Sequence, residues 1–290
     1  MSVPVPVDAW FDEIDLDPHG AWLRMGTRNL GSRPWLVVDD HRDVELELKR
    51  RLLAERRGEV FAAAVDADAP SRETLALVQA ELQAQGIGIG GDDAPADGVK
   101  AVHPLDRAGQ LVQEDLCLLR PVDGRWVLAG ASLCFPSRWR LAAKFERELA
   151  LVHGPVDGYT EQLTDRVDRL LNRLGQTVVW RRNWFIHPNS ALFQPDRPAD
   201  GDPLIPDDRC LDELFVRSER QTLRRLQPSG WVLFTIRIQQ ASVGQFVAGS
   251  DRREMLARFV AEASDGLAGH KGLSRSQCFE LQRVLRGLEA

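Results

Sequence analysis

The sequence predicts an α+β fold, a five-stranded antiparallel sheet with covering helices and helical extensions at both ends. Three observations predict it. Runs of strand character form a pair over 111–135 and a trio over 177–239. The stretch between them carries helical periodicity, and the flanking regions read as mainly helical. The chain of 290 residues therefore divides into an N-terminal extension over 1–105, a sheet-bearing unit over 106–240 and a C-terminal extension over 241–290, all in one compact unit.

Residues 40–57 place Val44, Leu48, Leu52 and Leu53 at helical spacing and end at Gly58, and Ser71 opens a second helix with Leu75, Val78 and Leu82. The glycine-rich stretch Gly86–Gly98 follows a helix and runs into Asp, Ala and Pro. A phosphate-cradling loop must follow a strand and open a helix, so this one reads as a surface loop. From Leu111, "LVQEDLCLL", the turn "PVDG" and "RWVLAGASLCF" form a hairpin. Ser137 then caps a helix with Ala142, Phe145, Leu149, Val152 and His153 on one stripe, stopped by Gly154-Pro155. Another helix carries Leu163, Val167, Leu170, Leu171 and Leu174 and stops at Gly175. Strands return over Thr177–Ile186, Leu214–Leu226 and Trp231–Gln239, and two amphipathic helices complete the tail. Strand pair, helices, three strands is the order of a PAS domain, whose helices lie over one face of the sheet with room for a flat cofactor beneath them.

The net charge of -6 is spread along the chain, so no basic field exists for a nucleic-acid backbone. No apolar run approaches the roughly 20 residues of a membrane span, and the acidic N-terminus lacks the apolar core of a signal peptide, which points to the cytoplasm. Cys117, Cys134, Cys210 and Cys278 stand far apart, which argues against zinc or an iron–sulfur cluster on this chain.

His153 shares the apolar face of its expected helix with Phe145 and Leu149. Two readings stand: an imidazole that bonds the last carbonyls at a helix C-terminus, or a neutral imidazole that ligates a metal or haem iron. His103 and His187 each precede a proline at an element end, and no paired histidine spacing supports a non-haem metal site. In "RSERQTLRRL", alternation puts Arg220 and Arg224 on one face and Glu219 on the other; in "WRRNW" it separates Arg182 and Trp184 from Asn183. A solvated sheet face explains such charges, and so do a buried anion or an acidic partner surface. There is no G-x-S-x-G for a serine nucleophile.

The segments "RMGTRNL", "WLVVDD", "EDLCLL", "CFPSRW", "LVHGPV", "RRNWFIHP", "RSERQTLRRL" and "VLFTIRI" occur, over Arg24 to Ile238, in an order that resembles the α subunit of haem-dependent oxidative N-demethylase. That resemblance implies a haem b-binding, PAS-like enzyme that oxidises a small secondary amine such as dimethylamine with O2 and releases formaldehyde. It implies His153 as axial ligand to the haem iron, with His187 and His103 as the next candidates. Glu219 would hold a substrate ammonium and Arg224 would polarise O2, a pairing that needs a bulge in the strand to bring both into one site. Arg220, Arg182, Asn183 and Trp184 would line the cofactor pocket. Flavin and [2Fe–2S] centres are expected on reductase-type partner subunits only, because this chain has neither a nucleotide loop nor a cluster-binding cysteine set. The alternatives are a haem-binding gas sensor or module without catalysis, and a scaffold subunit without haem.

Overall fold

The apolar strands pair side by side into one sheet. The computed structural model describes residues 9–18, 26–89, 102–149 and 161–287. The strands are β1 (Arg28–Asn29), β2 (Phe61–Ala63), β3 (Asp115–Val122), β4 (Arg125–Ser132), β5 (Val179–His187), β6 (Phe215–Arg225) and β7 (Val232–Ser242). They lie in the order β1-β5-β6-β7-β3-β4-β2, and every neighbouring pair is antiparallel. The five long strands are those expected from the sequence. The sheet is nevertheless seven-stranded, because β1 and β2 add short edges that carry too few residues to show a period of two. The turn between β3 and β4 is two residues long, with Asp123 at φ 46° and Gly124 at φ 80°. Two positive φ values make a turn whose twist matches the flanking strands.

Helices Arg42–Glu55, Glu161–Arg173 and Arg275–Arg286 form where the periodicity places them. The second N-terminal helix starts earlier than expected, at Asp68, and Ser71 Oγ donates to the Ala67 carbonyl at 2.6 Å instead of capping the helix. The long helix expected from Ser137 to His153 is corrected. Among its described residues Leu141–Lys144 forms a single turn, after which Phe145 is extended and Glu146 takes φ 56°, so the stretch is not one continuous helix. Edge pairing explains the break. β2 covers only the end of β4, and Glu146 N–H donates to the Leu128 carbonyl at 2.8 Å while Leu128 N–H donates to Arg147 at 3.3 Å. Covering that open edge outweighs helix propensity over a few residues. Ser137 is not a cap: its Oγ accepts from Arg217 Nε at 2.9 Å. His153, the Gly154-Pro155 stop and most of the glycine-rich loop lie outside the described residues.

Packed layers lie against both faces of the sheet. On the back face Trp180, Trp184, Ile186, Val216 and Leu233 are buried against the N-terminal helices, residues 10–16 and the C-terminal helices. On the front face Cys117, Leu119, Ile236 and Ile238 pack with Phe135 and with Leu171 and Leu174 at the end of helix Glu161–Arg173. The solvated-face account of the strand charges is therefore overturned, since Arg217, Glu219, Arg220 and Arg237 are all buried. Among the described residues no helix is long and apolar enough to cross a membrane.

Candidate functional site

Strand alternation assembles the site on the front face. Asn183 of β5 lies opposite Glu219 of β6, and Arg181 lies opposite Gln221. On the other side of β6, Glu219 lies beside Ile238 and Gln221 beside Ile236. The floor of Cys117, Ile236 and Ile238 is buried, whereas Phe145, Leu149, Val167, Leu223 and Phe234 around it are only half-buried. β5 shows the same asymmetry. Its back-facing Trp180, Trp184 and Ile186 are buried, while its front-facing Val179, Arg181, Asn183 and Phe185 stay half-buried. The front face is thus an apolar surface that the described residues cover incompletely.

A polar row crosses that surface. Arg181 Nε donates to Gln221 Oε1 at 2.6 Å, and Gln221 Nε2 donates to Glu219 Oε2 at 2.8 Å. Beside it, Lys271 Nζ donates to Asn183 Oδ1 at 3.0 Å. Lys271 follows helix Asp265–His270, and its carbonyl accepts the Ile186 N–H at 2.7 Å, which closes the free edge of β5. Only glycine permits that approach at the next position. Gly272 has φ 86°, and a Cβ there would stand 2.4 Å from the Ile186 carbonyl oxygen. Burial pushes Lys271 down to about 7, helped by Arg181 and opposed by Glu219 and Asp15. Lys144, on the covering segment, lies 4.3 Å over the Trp139 ring; burial pushes it down to about 8, while the charges of Glu219 and Cys117 oppose the shift.

The structure divides the residues singled out in the sequence. Glu219 and Asn183 meet on the front face, whereas Arg182, Trp184, Arg220 and Arg224 all face back. β6 keeps a constant register with β5 from Phe215 to Leu223 and with β7 from Phe215 to Arg225, so no bulge brings Arg224 round to Glu219. The back-facing groups hold the N-terminal segments. Arg182 pairs with Glu13 at 2.6 Å, Trp184 Nε1 donates to the Asp15 carbonyl at 2.8 Å, and Arg220 donates to the Pro34 and Trp35 carbonyls at 2.6 and 3.0 Å. Arg224 lies 5.0 Å over the Trp35 ring. His103 caps helix Pro104–Leu111, its Nδ1 accepting from Leu105 N–H at 3.2 Å.

His187 ends β5 with Nδ1 3.1 Å from Gln194 Oε1, and burial, reinforced by Arg138 and Arg217, pushes it down to about 3. It is neutral at pH 7. The unfolded chain binds a proton below the ordinary value of 6.5, while the folded chain resists one until about 3, so stability falls as pH drops through that window. Between pH 7 and pH 4.5 this histidine is expected to remove about 2 kcal/mol. Urea unfolding of wild type and His187→Gln at both pH values measures it, and equal losses in the two proteins would refute it.

Two front-face participants escaped the sequence reading, Lys144 and Lys271, while Arg181 and Gln221 share strand faces with Asn183 and Glu219 but carried no role there. A signal for the lysines was present, since the chain has four lysines against 33 arginines. Among the described residues no group of three or more His, Cys, Asp or Glu could hold a metal ion. Compared with known protein families, residues 88–278 match the family model for haem-dependent oxidative N-demethylase, alpha subunit-like.

Proposed function

The chain belongs to the haem-dependent oxidative N-demethylase alpha subunit-like family, and from that premise we propose that it is a haem-bearing catalytic chain. Its substrate would be a small secondary amine of the dimethylamine kind, oxidised with O2 to yield formaldehyde in the cytoplasm. Electrons would come from partner subunits that carry flavin and [2Fe–2S] centres. The observation that carries this reading is the incompletely covered apolar front face crossed by Glu219, Gln221 and Arg181. A flat macrocycle needs an apolar bed, one axial ligand and cations for its carboxylates. The front-face floor, Arg181 and Lys144 meet the first and last needs, and a single-ligand cofactor does not require a cluster of metal-binding side chains. The fold also suits a PAS-like assignment, because β7 lies between β3 and β6 and the segment linking β4 to β5 covers the front face.

Haem b, held by His153, would supply the redox chemistry. The chain's own side chains handle the substrate. An alkylammonium donates its N–H to the buried Glu219 carboxylate, which Gln221 orients from its neighbouring position on the strand. Asn183, opposite Glu219, presents an amide to the same space. Ile236, Ile238 and Phe234 surround the methyl groups and exclude water, which strengthens the Glu219 interaction. Arg220, Arg182 and Trp184 support this site from behind by fixing residues 13–15 and 34–35 against the sheet. Arg224 lies over the Trp35 ring on the back face.

Haemin titrated into the purified chain is expected to give a stoichiometric Soret band that shifts or vanishes in His153→Ala. Haem-loaded protein given dimethylamine, O2 and an artificial reductant is then expected to release formaldehyde. A normal band with no formaldehyde from any small methylamine would favour a haem-binding sensor or module, and no band would leave a scaffold subunit.

A further inference from the structure

The chain writes nearly every cation as arginine, yet two of its four lysines, Lys144 on the covering segment and Lys271 at the edge of β5, interact electrostatically with Glu219. The two residue types differ in one property that matters here: a buried lysine can release its proton, and arginine cannot. Lys271 is the deeper of the two, 6% exposed, and it is the one tied to the polar row, through the 3.0 Å bond to Asn183 Oδ1. Asn183 in turn lies opposite Glu219. The same amine stands 4.7 Å over the Trp184 ring, so the ring face and the amide oxygen are both placed to support an ammonium once it forms. A proton acceptor must be stable in both states, and these contacts provide for the charged one.

An alkylammonium has no lone pair on nitrogen, so it must lose a proton before the amine can be oxidised. We propose that Lys271, held on Asn183, accepts that proton from the ammonium bound at Glu219; the proposal rests on the amine-oxidising reading above. The N–H bond of the ammonium breaks and its electron pair stays on the substrate nitrogen, while the Lys271 lone pair takes the proton. The positive charge moves from substrate to Lys271, and no oxidant or reductant takes part. Arg181 and Glu219 from the strands, Asp15 from the N-terminal segment and the adjacent His270 are the titratable and charged groups around the amine. Burial and Arg181 keep it neutral in a useful fraction at pH 7, against Glu219 and Asp15.

With four lysines, Cε resonances of the 13C-lysine-labelled full chain can be assigned by substitution. The haem-loaded chain, reduced under carbon monoxide to a diamagnetic state, is titrated with and without dimethylamine. The resonance missing from Lys271→Arg, and from Lys271→Met as a second variant, is expected to titrate near neutral pH. At pH 7 dimethylammonium bound at Glu219 is expected to move it toward its neutral position, the state that accepts the proton, and to leave it unmoved in Glu219→Gln. In turnover, kcat/KM of the wild type rises with pH through the same titration; Lys271→Arg loses that limb and falls about 10²-fold at pH 8. A Lys271 that titrates in the ordinary lysine range, or stays unmoved while dimethylamine binds, overturns the proposal alone. Failure of the chain to take up haem, or to bind the amine at all, overturns the functional reading beneath it.

Discussion

Arg237→Met is expected to cost roughly 3–5 kcal/mol, a large part of the stability of an ordinary domain. Arg237 lies mid-way along β7, is 1% exposed, and pairs with Asp39 Oδ2 and Glu45 Oε2, each at 2.6 Å. Gln113 Nε2 ties the two carboxylates together at 2.8 and 2.9 Å. Burial opposes the Arg237 charge, but Glu45, Asp39 and Glu114 together hold its pKa above the ordinary value. Methionine keeps the length and removes the charge, which strands two carboxylates in the interior. Those carboxylates belong to residues 34–45, the segment that also takes the Arg220 bonds behind the candidate site. The loss should therefore loosen the support of β6 as well as the fold. Urea unfolding measures it, with a control that follows from the cause: adding Asp39→Leu and Glu45→Leu to Arg237→Met is expected to recover most of the stability. A single variant within 1 kcal/mol of wild type would show that the pair contributes little.

The strands were legible because hydrophobic alternation and turn residues act over short distances. β3 and β4 flank an Asp-Gly turn, and β5, β6 and β7 each have runs long enough to register. The break at Phe145 was not legible, because it depends on an open edge of β4 that exists only once the sheet is assembled. The same division holds for the site. Alternation alone places Glu219 apart from Arg220 and Arg224. What the back-facing arginines do is decided by residues 13–15 and 34–35, which no local pattern connects to β5 or β6. Lys271 reaches Asn183 from a turn near the C-terminus, through a backbone approach that depends on Gly272. Local rules thus reveal which side chains share a face, and long-range docking decides what meets them.

Glu219→Gln is expected to lower kcat/KM for dimethylamine by roughly 10- to 100-fold, because a buried hydrogen bond to a charged group contributes about 1.5–3 kcal/mol. The substitution keeps the shape of the side chain and its place beside Ile238, and it leaves a carbonyl oxygen to accept the Gln221 amide. Only the charge changes, so a cationic ligand should suffer and a neutral one should not. Dimethyl ether, similar in shape but uncharged, separates the two cases: its inhibition constant is expected to be the same in wild type and variant. Equal loss of the ether and the amine would assign Glu219 to packing, while an unchanged amine would move the cation site off β6. The sign of the pH effect gives an independent check. Above about pH 7 the neighbouring Lys271 sheds its charge, so Glu219 keeps less local cationic company and holds an external ammonium more tightly. KM for the ammonium form should fall as pH rises through that point in the wild type and stay flat in Glu219→Gln.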